Sequence, residues 1–123
     1  MPDVNWSYNL IATRGSFYSV AAVAGATADM SESGRVAVTP TLTTSPTTIS
    51  TASLTSVGLC VIRNLATVSS HTITFGRWDG SSLTPVIEAR GSEPAGPFRL
   101  AAGSYAMRAA VAGTRAVVEI YEG

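Results

Sequence analysis

His71 and Cys60 are the single imidazole and the single thiol of a 123-residue chain. A structural zinc site needs four Cys or His ligands, which puts it out of reach. Cys60 with His71 could form a nucleophile and base pair across the expected hairpin. The position of each favours a plainer role. Cys60 lies inside the apolar run 57–62, where a small buried hydrophobe is expected, and His71 follows the polar Ser69-Ser70 corner. One cysteine also excludes an intrachain disulfide.

Asp79, Glu88, Glu93, Glu119 and Glu122 are carboxylates that a glycosidase pair would need. No spacing among them predicts convergence, and they read as solvated strand ends or loops. Four carboxylates in a calcium-loop pattern are absent. The glycine-bearing segment 76–80 carries no lysine and precedes no helix, so it does not cradle a phosphate. No catalytic residue, metal ligand or cofactor is assigned, and an enzyme is not expected. Among the aromatics, Trp78 adjoins the Asp79-Gly80 turn signal and would be partly exposed there. With Arg77 or Asp79 beside it, Trp78 is the candidate for stacking on a sugar ring.

The elements that position these residues follow a period of two. The segment 58–76 holds the densest apolar run, passes the serine corner and alternates again through Ile73 and Phe75, which reads as a buried hairpin. Before it, Val4, Trp6, Tyr8, Leu10 and Ala12 alternate with more polar neighbours, apart from Ile11. Arg14-Gly15-Ser16 turns the chain, and even positions from Tyr18 to Met30 continue the alternation. A helix competes over 17–30 because alanine favours helices. The strand is preferred, since Gly25 weakens a helix and bends a strand.

Pro40 places the next strand, 35–42, at an edge or a bulge. The Thr/Ser-rich run 39–55 predicts one or two short strands. Asp79-Gly80 is a tight-turn signal, and a short strand over 86–89 follows Pro85. Two prolines and two glycines make 90–97 the strongest loop of the chain. Strands resume at 98–100, 105–110 and 116–121, with a short helix as a rival in the alanine-rich 100–112. The fold class predicted is all-β: one antiparallel sandwich or jelly roll of about eight to ten short strands spanning 1–123, with 1–5 as an extended N-terminal arm.

Composition narrows the partners. Net charge is zero, charged residues are 13% of the chain and all eight basic residues are arginines spread along it, so nucleic acid is not an expected ligand. No apolar run is long enough for a membrane span and the first residues lack a signal peptide's pattern, so a cytoplasmic origin is expected. Low charge with many small apolar and hydroxyl residues suits protein interfaces. Trp6, Thr41 and Thr43, together with Arg77 and Trp78, are the candidate contact residues. The polar run 39–55 and the residues before Trp6 would offer strand edges for addition.

The order Val61-Ile62-Arg63-Asn64-Leu65, Thr72-Ile73-Thr74-Phe75-Gly76, Gly91-Ser92-Glu93-Pro94, Phe98-Arg99-Leu100, Tyr105-Ala106 and Ala116–Tyr121 resembles small β-sandwich virion proteins of tailed bacteriophages, including capsid decoration (cement) proteins. The resemblance spans about 43 to 123. It implies a protein made in a bacterial host cytoplasm and carried on the capsid surface. It also implies contact with the major capsid protein or other virion proteins, and a homo-oligomer, by analogy a trimer. Arg63 and Asn64 are expected to hold a corner, since Asn bonds nearby backbone, and Phe98 to re-enter the core after the loop. The alternative from the residues alone is a glycan-binding or tail-associated module that uses Trp78.

Overall fold

A computed structural model describes residues 3–123. Its ten strands are all antiparallel, with no helix among the described residues. The all-β antiparallel class is as expected, and the chain forms two compact units, Met1–Ser31 and Glu32–Gly123.

The first unit is a two-stranded ribbon, β1 (Val4–Arg14) with β2 (Phe17–Ala28). Gly15, at φ 59°, occupies the first of the two loop positions, where only glycine adopts the left-handed backbone cheaply. Gly25, at φ 69°, sits where the register skips between Trp6 and Tyr8, and its amide donates to Ser7 Oγ at 3.1 Å. The alternation that argued against a helix is therefore a real strand, bulged at the glycine. Val4 and Asn5, expected in an extended arm, are already paired in β1, while Met1 and Pro2 lie outside the described residues.

The second unit is a sandwich of two four-stranded sheets. One is ordered β3 (Arg35–Val38), β10 (Ala116–Glu122), β5 (Val57–Asn64), β8 (Pro94–Arg99). The other is ordered β4 (Thr47–Ile49), β9 (Tyr105–Ala109), β6 (Ile73–Trp78), β7 (Leu83–Ala89). The period of two is clearest in the closing strand. In β10, Ala116, Val118, Ile120 and Glu122 are buried and the residues between them half-buried. Phe75 of β6 is at the centre, stacked on Tyr105 at 5.3 Å and edge-on to Phe98 of the facing sheet at 6.2 Å. Phe98 and Leu100 thus do pack on the core.

Three expectations need correction. The stretch 58–76 is not a hairpin: β5 pairs with β10 and β8, and β6 with β7 and β9, so the two strands belong to opposite sheets. Alternation tells which face of a strand is buried and is silent on which sheet owns it. The loop expected over 90–97 closes within Arg90–Glu93, and Pro94 already begins β8. β8 tolerates Pro94 and Pro97 because it is an edge strand, with Gly96 at φ 99° inside a register skip. Glu122 is not solvated: it is 3% exposed, and its Oε1 accepts the Ser56 amide at 2.6 Å. Pro40 lies just beyond the edge strand β3, and the run 39–55 supplies β4 plus a single bridge from Thr41 to Arg115.

Candidate functional site: an apolar ribbon

Cys60 is fully buried on β5, and burial pushes its thiol up to about 12, so no thiolate exists there near neutral pH. His71 is half-buried at the end of the connection between β5 and β6. Among the described residues, no three of His, Cys, Asp and Glu are grouped to hold a metal ion.

Asp79 is engaged in building its own turn. Its Oδ1 accepts the Ser81 amide at 2.8 Å and the Ser82 amide at 2.7 Å, and Ser82 Oγ donates to Oδ2 at 2.8 Å. These bonds, the Ser81 amide first, lower its pKa from 3.8 to about 2. A depressed carboxylate contributes stability that is complete above the unfolded pKa and lost as pH falls through the folded one. The Ser81 and Ser82 amide resonances should therefore titrate with a midpoint near 2. In Asp79→Ala that acid titration should vanish; a midpoint at an ordinary carboxylate value would refute the account.

Arg77 lies over the Tyr105 ring at 5.4 Å, so the two polar neighbours expected to help Trp78 grip a sugar are both committed to internal contacts. Trp78 itself is half-buried beside a shallow depression with Thr48, Ser50, Thr51 and Ser104. Thr41 and Thr43 are exposed on the chain leading to β4; Thr43 Oγ1 accepts the Ser45 amide at 3.2 Å, while its carbonyl accepts Ala109 N at 2.8 Å. Trp6 belongs to the ribbon unit, opposite Ala26. Within the sandwich unit, Thr41 and Thr43 lie on the approach to β4, and Arg77 and Trp78 at the end of β6.

No family profile, curated protein or solved structure matches the chain.

The ribbon carries a surface that the sequence reading folded into the core. Tyr8 is 51% exposed, Leu10 62%, Ile11 56%, Phe17 60%, Tyr18 67% and Val20 49%. Cross-strand partners share a face, so the register places Leu10 with Ala21 and Phe17 with Arg14 on one face, and Ile11 with Val20 and Tyr18 with Thr13 on the other. Both faces are apolar. From 4 to 28 the sole charged residue is Arg14. Several hundred Å² of continuous apolar surface is the size at which exposed patches on soluble proteins mark contact sites.

The signal was present in the sequence. Leu10-Ile11 and Phe17-Tyr18 are adjacent large apolar pairs, and an adjacent pair on a strand must point to both faces. A strand lying on one side of a core needs only one apolar face. Ile11 was the lapse in the alternation, and it marks the ribbon as two-sided.

Asn64, fully buried at the end of β5, donates from Nδ2 to His71 O at 2.7 Å and to Ala89 O at 3.0 Å, and its Oδ1 accepts Ala66 N at 2.9 Å. One side chain thereby ties β5, the connection to β6 and the end of β7. Arg63 points outward.

Proposed function

We propose that this chain is a non-enzymatic structural protein of a bacteriophage virion, of the capsid decoration type, fastened to the assembled shell through its N-terminal ribbon. The observation that carries the reading is the ribbon: both faces apolar and the six large side chains about half to two-thirds exposed. A two-stranded hairpin is marginal in water by itself, so such a surface acquires its full order against a partner. The sequence cadence over 43–123 supports a virion setting, and the sandwich, cross-tied at Asn64, is a rigid body to be held in place.

Stabilisation would follow from mass action, because a protein that binds only the closed shell lowers its free energy relative to the open one. Many copies, oligomerised over junctions between capsid subunits, would add avidity without a large interface for each. Particles heated with the wild-type chain should release DNA at a higher temperature than particles lacking it. The variant carrying Leu10→Ser, Phe17→Ser and Tyr18→Ser should fail to sediment with shells and give no protection. Identical release curves with and without the wild-type chain would overturn the proposal.

A further inference from the structure

A groove at one end of the sandwich is built on different residues from the ribbon. It encloses about 390 Å³ between the connection that follows β5 and the turn that precedes β10, lined by Leu65, Val68, His71, Gly113, Thr114 and Arg115 among others. Leu65 and Val68 are 40% and 49% exposed, and Val111 beside the far wall 41%. No carboxylate lines it, and its two ionisable side chains, Arg115 and His71, are both of the basic type.

The walls are held before any ligand arrives. On one side, Asn64 Oδ1 accepts Ala66 N at 2.9 Å, His71 N donates to Val68 O at 3.0 Å and Ser92 Oγ donates to Ala66 O at 3.1 Å. Gly91 packs so closely that a Cβ there would come within 2.1 Å of Val68 O. On the other side, buried Thr114 donates from Oγ1 to Val111 O at 2.7 Å, and Gly113 N donates to Leu42 O at 2.9 Å. Leu65 N to Arg115 O, at 2.9 Å, joins the two walls. A concave, largely apolar site with a few converging polar groups is where ligands bind, and walls already ordered lower the entropic cost of binding.

We infer that this groove docks a peptide segment of a partner protein in which a carboxylate adjoins a bulky apolar residue. The apolar side chain would cover Leu65 and Val68, and the carboxylate would meet the planar guanidinium of Arg115, a geometry that favours paired hydrogen bonds. Charge complementarity selects this occupant, because an acid is the one charged group that the lining attracts without repulsion. The amides of Leu65, Ala66, His71, Gly113 and Thr114 are engaged within the walls, which leaves the Arg115 side chain as the charged group that recognises the acid.

The test uses three fluorescein-labelled, C-terminally amidated peptides: Gly-Ser-Gly-Glu-Leu, its Gln isostere Gly-Ser-Gly-Gln-Leu, and Gly-Ser-Gly-Glu-Ser. With the full chain at up to millimolar concentration, polarisation should saturate for the first and be at least tenfold weaker for the other two. Arg115→Gln should equalise the Glu and Gln peptides while leaving the thermal transition unchanged, and Val68→Ser should weaken both. Amide shifts on titration should map to 65–71 and 112–115. The ribbon variant should bind like wild type, which separates this inference from the proposed function. No saturable binding, equal affinity for Glu and Gln in the wild type, an unaltered preference in Arg115→Gln, or shifts confined to other parts of the sandwich would each overturn it.

Discussion

Asn64→Leu should lower the stability of the sandwich by about 3 kcal/mol or more, a large part of the roughly 5–15 kcal/mol typical of a domain. Leucine matches the shape and removes every polar atom of the side chain. It strands the Ala89 carbonyl, the His71 carbonyl and the Ala66 amide, which Asn64 satisfies at 3.0, 2.7 and 2.9 Å. An unpaired buried group costs about 1–3 kcal/mol, whereas the bond itself is worth about 1. In a unit of this size each kcal/mol moves the midpoint by roughly 4–8 °C, so the thermal transition should fall by on the order of 15 °C or more.

Asn64→Asp separates bonding from shape. At neutral pH its carboxylate would still accept Ala66 N but would face two carbonyl oxygens with no proton to offer. That arrangement raises the folded pKa of the new acid above its unfolded value. A raised pKa contributes stability below the unfolded value, near 4, that is lost as pH rises through the folded one. The Asp variant should therefore approach the wild type on acidification, while the Leu variant should not. Equal, pH-independent losses in both would show that packing, not hydrogen bonding, holds this corner.

The faces of β10 were legible because its burial alternates residue by residue, and a period of two has no other comfortable home, whereas β5 was legible as a strand from its continuous apolar run. Glu122 shows the limit of that reading. Its even position places it inward with Ile120 and Val118, yet its charge argued for solvent; its burial is made tolerable by the Ser56 amide, which precedes the neighbouring strand β5 and donates to its carboxylate. Pairing was not legible. Nothing local distinguishes a hairpin over 58–76 from a crossover between sheets, because that choice belongs to the strands that flank β5 and β6. Pro94 and Pro97 read as loop because the edge position that excuses them is a property of the sheet. The groove was invisible for a related reason: 65–71 and 112–115 are distant in sequence and meet only because β10 pairs with β5.

The ribbon makes the strongest dynamic prediction. In the free protein, amides of β1 and β2 should exchange with solvent roughly a thousandfold or more faster than those of Cys60, Ile62, Val118 and Ile120. The core strands open only when the whole sandwich unfolds, since both neighbours of β5 and of β10 are in place and the intervening side chains are buried. The ribbon has one partner per strand, two free edges and apolar side chains facing water, so its opening loses little burial. Docking on a shell would cover those side chains and slow ribbon exchange toward the rate of the sandwich, whereas the serine-substituted ribbon would stay fast in either condition. Slow exchange throughout β1 and β2 in the free protein would mean that the ribbon is stable without a partner, and the argument that it exists to be covered would fail with that result.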